Sequence, residues 1–179
     1  MKELNIKSAL LRAAMLCQAK DDVRFYLNGV HVNGKHIEAT NGHIAVRMTM
    51  DSDKGESLIV SIKSKIPAAA VNTTLLINDE PIAKHYDLLG SLCAVSVIEI
   101  IVGNYPSIDK VIKDETKPVD YVGINTEYIS LFPKMFKERF STAKMEFNGI
   151  MEAIKMTSTS PIINEEYGSP IFIIMPARI

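Results

Sequence analysis

The sequence predicts an α+β fold built from repeated units, each a helix followed by antiparallel strands. Three observations carry that prediction. Short runs that alternate polar and apolar residues dominate the chain. Asn33-Gly34 and Asn41-Gly42 separate the first of those runs, and Asn-Gly between β-type segments is a strong hairpin signal because both residues tolerate positive φ. The order helix, strand, strand, strand then recurs three times, at about 60 residues per copy, with no repetition of residue identity.

In the first unit, residues 6–20 place Ile6, Leu10, Ala13 and Cys17 on one helical face. Strands follow at 24–32, 36–40 and 43–50. The second unit opens with a strand at 57–62. The segment 63–71 reads as a short helix limited by Pro67, and strands follow at 73–79, 81–87 and 92–102. Residues 103–111 form a turn that leads out. The third unit begins with a strand at 119–125. A helix at 126–140 carries Ile129, Phe132, Phe136 and Phe140 as one stripe, and strands are expected at 143–148, 150–159 and 170–176. Two such units bury their faces against each other. A third has no partner within the chain, which points to self-association.

Hydrophobic residues make up 47% and charged residues 23%, which excludes a disordered or low-complexity chain. Formal net charge is -1, and neither half is a basic tail, so any nucleic-acid contact must come from a local basic face. Cys17 and Cys93 lie far apart in apolar surroundings and read as two buried free thiols rather than a disulfide. Lys7 and Arg12 interrupt the apolar residues of the amino-terminal segment, so it reads as neither signal peptide nor membrane span, and a cytoplasmic protein is expected.

His31, His36, His43 and His85 fall at no metal-ligand spacing and read as ordinary β-surface histidines. Nucleotide-binding glycine loops, serine-nucleophile elbows and zinc-protease motifs are missing. The acid pairs Asp21-Asp22 and Glu165-Glu166 sit in polar loops. An enzyme on this scaffold is therefore disfavoured, and neither cofactor nor metal is expected.

Four segments then carry a family resemblance: DVRFYLNGVHV, EATNGHIAV, GNYPSIDKVI and the closing IIMPARI. In that order they resemble segments of the bacterial sliding clamp, the β subunit of the replicative DNA polymerase. The resemblance implies the DNA-clamp (processivity) architecture, in which each domain is two helix-plus-strand units. Residues 1–112 resemble the family's complete middle domain, and 113–179 the second half of its last domain. The chain is thus similar to about one and a half clamp domains, a cut-down clamp of the kind expected from a phage, prophage or other mobile element.

The resemblance implies a groove for the short clamp-interaction peptides of polymerases and clamp loaders. Its wall would comprise Leu27; Thr40, Gly42, His43 and Ile44 in the turn; Pro106 and Val111 in the connector; and Ile173, Met175, Pro176, Ala177, Arg178 and Ile179 in the tail. The turn is one residue shorter than the family's, because Ile44 follows His43 directly. Ala177 replaces a larger family Met. Independently of the name, apolar Leu27, Ile44, Val111, Met175 and Ile179 suit a peptide floor, with His43 and Arg178 as polar fixers.

Duplex DNA is the second partner that the resemblance implies, held through phosphates without base reading. Lys7, Arg12 and Lys20, then Lys63 and Lys65, then Lys134, Lys137 and Arg139 are the candidate contacts. The function so implied is a non-enzymatic, homo-oligomeric (dimeric or tetrameric) processivity factor for a DNA polymerase. The alternative is a decoy that competes with a host clamp for polymerase or loader without encircling DNA.

Overall fold

Leu4 and Ile6 alternate with Glu3, Asn5 and Lys7, so the chain opens as a strand, β1 (Lys2–Lys7), and not as the first turn of a helix. The computed structural model describes residues 2–51, 55, 57–139 and 142–178. Helix α1 is shorter than the predicted 6–20 and runs Ser8–Ala14. It tightens past its end, where Leu16 and Cys17 N–H donate to the carbonyls three residues back. Leu10, Ala13 and Cys17 are buried as their spacing predicts, and so are Leu11 and Ala14.

The strand expected at 24–32 begins only at Val30. Phe25–Leu27 is a 3-10 helix, because Asp22 and Asn28 satisfy each other locally. Asp22 N–H donates to Asn28 Oδ1, and Asn28 Nδ2 donates to the Asp22 carbonyl. Such short polar side chains compete with ladder pairing. The meander then forms as expected: β2 (Val30–Asn33), β3 (His36–Thr40) and β4 (Ile44–Thr49). Gly34 turns the first hairpin at φ 58°.

The second unit contains β5 (Ser57–Ile62), β6 (Asn72–Ile77), β7 (Ile82–Tyr86) and β8 (Leu92–Ile101). No helix forms over 63–71. That segment is held open by the Arg12 guanidinium, whose Nη1 donates to the carbonyls of Pro67 and Ala70 at 3.0 and 2.9 Å.

The opening strands of these two units change places. β1 leaves its own meander and pairs with β6, setting Leu4 opposite Leu75 and Ile6 opposite Thr73. In return β5 pairs with β2, setting Val30 opposite Val60. The ten-residue β8 joins the two sheets, pairing with β7 over its first half and with β5 over its second.

In the third unit Pro133 divides the predicted helix 126–140 into α2 (Thr126–Ile129) and α3 (Phe132–Met135). Phe132 and Phe136 are buried, whereas Phe140 lies outside the described residues. The strands are β9 (Ala143–Glu146), β10 (Ile154–Ser158) and β11 (Ile171–Ile174). Between the last two lies an unforeseen helix, α4 (Pro161–Tyr167). Ser160 caps it by accepting from Ile163 N–H, Pro161 opens it, and left-handed Gly168 closes it.

β11 pairs along β4 and with β10, so the third unit extends the first unit's sheet; the order is β1-β6-β7-β8-β5-β2-β3-β4-β11-β10-β9. Helix α1 packs on β3 and β4 and against α3 and α4. One hydrophobic cluster runs from Leu4 through Phe136 to Ile174. Residues 119–125 do not form the expected strand; Gly123 makes an isolated bridge to Ala177.

Candidate functional site

The turn after β3 is fixed by its own polar atoms. Asn41 Oδ1 accepts from His43 and Ile44 N–H at 2.9 and 3.0 Å. Thr40 Oγ1 accepts from Gly42 N–H and donates to the Ile44 carbonyl. Gly42 sits at φ 90°, a conformation natural to glycine. The chain's tail meets this turn directly, because Met175 N–H donates to the His43 carbonyl at 2.8 Å. The His43 ring is stacked parallel to Tyr128, with centroids 6.3 Å apart.

A buried network secures the connector behind the turn. Tyr105 stacks on His31 at 4.5 Å, and its hydroxyl accepts from Thr40 N–H at 2.8 Å. His31 shares a 3.0 Å hydrogen bond with Glu38, and Arg47 bridges Glu38 to Asp109 at 2.6 Å each. Burial pushes the Glu38 carboxyl up, but the His31 and Arg47 contacts outweigh it and hold the pKa below the usual range. Burial raises the Tyr105 phenol, so it stays neutral. Ile108, Ala45 and Ile173 form a small second core with half-buried Val111 against it.

The structure therefore brings together the turn (Thr40 to Ile44), the connector with Pro106 and Val111, and the tail from Ile173. It divides the predicted wall by exposure. Leu27, Ile44 and Ile173 are each 2% exposed and belong to the interior. Gly42, His43, Pro106, Met175, Ala177 and Arg178 are exposed, and Pro176 is half-buried. Ile179 lies outside the described residues. Tyr105 and Tyr128 escaped sequence reasoning. For Tyr105 the one available signal was an aromatic beside Pro106, ahead of an apolar turn.

The basic candidates fall together more closely. Arg12, Lys20, Lys63, Lys65, Lys134 and Lys137 line a single cleft of about 670 Å³ over α1. Glu166 is the acidic residue on its wall. The side chains reach it from α1 and the segment after it, from residues 63–65, and from α3 and the segment after it. Arg12 is committed to the carbonyls of Pro67 and Ala70, and Lys63 pairs with Glu99. Lys7 lies elsewhere and pairs with Asp51. Arg139 does not line the cleft.

Two other side-chain expectations are corrected. Cys93 is exposed and only Cys17 is buried, because Cys93 sits on the outward side of β8. Burial pushes the Cys17 thiol far up, and it donates to Met135 Sδ at 3.3 Å. His31 and His85 are interior residues and not surface ones. Among the described residues, no group of three His, Cys, Asp or Glu is placed to hold a metal, and no helix is long and apolar enough to cross a membrane.

Paired units with exchanged strands, sheets joined edge to edge and helices gathered over one face give this chain the fold of the bacterial sliding clamps. Its similarity to solved structures is to those proteins in particular. It superposes on a sliding clamp (DNA polymerase III subunit beta) from Bartonella birtlesii bound to griselimycin, with TM-score 0.69, 11% identity and 99% of this chain covered. For the β subunit of DNA polymerase III from Borrelia burgdorferi, in complex with a natural product, the values are 0.68, 14% and 100%. For the β subunit of the Streptococcus pyogenes DNA polymerase they are 0.66, 16% and 100%. The chain spans only 66%, 65% and 66% of those three proteins' length. No protein-family model and no curated protein matches the sequence.

Proposed function

We propose that this chain is a non-enzymatic, clamp-like scaffold that binds the interaction peptides of DNA polymerases or clamp loaders and serves as a polymerase processivity factor. The observation that carries this reading is the junction of tail and turn. One hydrogen bond, Met175 to His43, brings the exposed Met175, Ala177 and Arg178 and the half-buried Pro176 beside His43 and Tyr128. Apolar Met175 and Pro176 flanked by a cationic and an imidazole side chain suit a short amphipathic peptide. The buried Ile44 and Ile173, in the paired strands β4 and β11, back that surface instead of touching the ligand, and Leu27 is buried as well. On this reading residues 1–112 form a full clamp domain and 113–179 a half domain, in an oligomeric cytoplasmic protein.

The basic cleft suits the phosphate backbone of duplex DNA, without base reading. Among the described residues, Lys20, Lys65, Lys134 and Lys137 are its exposed cations that form no ion pair with an acidic side chain.

The test is titration of a labelled clamp-binding peptide against the wild type and a variant lacking residues 175–179. Loss of binding with the fold intact supports the groove, and equal affinity refutes it. A primed-template extension assay then separates the roles. Stimulation without a host clamp marks a processivity factor, whereas inhibition of a host clamp's reaction marks a decoy.

A further inference from the structure

The first two units follow one rule: each sends its opening strand to the free edge of the other unit's second strand. β1 goes to β6 and β5 goes to β2. The third unit has both halves of this arrangement and no internal partner for either. Its opening segment, 119–125, lies outside the sheet, and its first post-helix strand, β9, ends the sheet with an edge that pairs with no other strand among the described residues.

We propose that a second copy of this chain supplies the missing strand. Residues 119–125 of each copy pair antiparallel along the β9 edge of the other, about a two-fold axis. The inference rests on the clamp fold and gives the self-association in the proposed function a defined surface.

The residues match the exchange already made within the chain. β1 runs directly into α1 with Leu4 and Ile6 facing inward. Residues 119–125 run directly into α2, capped by Asn125, with Val122 and Ile124 half-buried at the same spacing before the helix and Tyr121 64% exposed. On the receiving side, β6 presents Thr73 and Leu75 inward. β9 offers Ala143 and Met145, half-buried, about an exposed Lys144. Setting Ile124 opposite Ala143 and Val122 opposite Met145 reproduces the observed pairs Ile6–Thr73 and Leu4–Leu75. It also places Gly123, which has no side chain, opposite Lys144.

Within its own chain the segment is anchored by the Gly123–Ala177 bridge and, just before it, by Lys117 N–H on the Phe147 carbonyl. Because both donor strands are exchanged about one two-fold axis, the contact is isologous and closes with two copies. An uncovered edge is otherwise a liability for uncontrolled pairing.

Size-exclusion chromatography with light scattering at micromolar concentration should give twice the 19.9 kDa chain mass. Two variants then divide the surface: Val122→Asp with Ile124→Asp breaks the donor strand, and Ala143→Asp with Met145→Asp breaks the receiving edge. Each alone should be monomeric. Their mixture should regain a dimer, because one intact donor still meets one intact edge. Hydrogen exchange of the wild type provides a readout free of folding defects, with amides of 119–125 and 143–146 slowing as concentration rises. A monomeric wild type, a dimer that persists in both variants, or concentration-independent exchange would overturn the proposal. Peptide affinity is read separately, so a dimer that binds no peptide counts against the groove and not against the strand exchange.

Discussion

The backbone N–H of Met175 donates to the carbonyl of His43 across 2.8 Å, joining residues 132 positions apart. The bond continues the pairing of β11 with β4, whose last matched pair is Ile174 with Ile44. Sheet formation alone therefore delivers the tail to the turn. The candidate groove is a by-product of where the strand ends: β11 is buried on both faces through Ile173 and Ile174, and Met175 is the first residue beyond it and is exposed.

The first prediction concerns His43. Its ring is exposed and faces Tyr128, and its backbone makes the structural bond. His43→Ala should leave stability within about 0.5 kcal/mol, as surface changes do, while weakening peptide binding several-fold. Fluorescence anisotropy alongside urea melting checks both halves. A fall in stability without a change in peptide affinity would reassign His43 to the scaffold.

A second prediction concerns the cleft over α1. Lys134 and Lys137 are exposed there on and just after α3. If both touch phosphates, replacing both with Ala should lower the slope of log affinity against log salt by about 0.9 for each phosphate no longer neutralised. Duplexes of unrelated sequence should be affected equally. An unchanged slope would remove these lysines from the DNA surface.

Gly168 supports a third. It closes α4 at φ 64°, and its carbonyl accepts from Thr49 N–H at 3.0 Å. A Cβ there would lie 1.8 Å from the Thr49 carbonyl oxygen. Left-handed strain alone costs about 1–2 kcal/mol, and this clash forces α4 off β4 as well. Gly168→Ala should therefore cost at least about 2 kcal/mol in urea unfolding. A neutral result would mean that the loop moves freely from β4.

Much of the fold is legible in the sequence. Period-two alternation and the Asn-Gly steps located β2, β3 and β4, because those signals are local. The strand exchange was not legible. Nothing in Lys2–Lys7 states that its partner lies beyond residue 71; only tertiary pairing decides that. Helix 63–71 failed for a related reason, since Arg12, far away in sequence, captures the Pro67 and Ala70 carbonyls. Helix α4 was readable from Ser160, Pro161 and Gly168 as cap, first turn and stop, signals outweighed by the polar Asn164-Glu165-Glu166. At the site, only the family resemblance set turn and tail side by side; residue types alone read as plain core and could not separate buried Ile44 and Ile173 from exposed Met175. Ile173 and Met175 share one side of the strand, and they differ because Ile173 lies within β11 against the second core while Met175 lies past its end.

The last prediction is pH dependence. His85 is fully buried, and its two ring nitrogens are spent on Thr73 Oγ1 at 2.9 Å and Ser96 Oγ at 2.7 Å. Ser8 and Ser64 extend that chain at either end. Burial, and then the charge of Arg12, hold the His85 pKa below 6.5. His36 is lowered in the same direction by burial and then by Arg47. In the unfolded chain a histidine takes up a proton near pH 6.5, while in the native state these two take one up only at lower pH. The unfolded state then binds more protons, so stability rises with pH. Their contribution is complete above about pH 6.5 and is lost as pH falls below it. Glu38 acts in the same direction but lower, because its carboxyl loses its advantage only as pH drops through the carboxylate range. Urea unfolding at pH 7.5, 6.5 and 5.5 should therefore show falling stability across a window where carboxylates hardly titrate. His85→Gln, which keeps hydrogen-bonding capacity without a titrating ring, should flatten that profile and leave the smaller slope due to His36. A wild-type profile that is level over this range would mean that His85 gains a proton without leaving its buried chain.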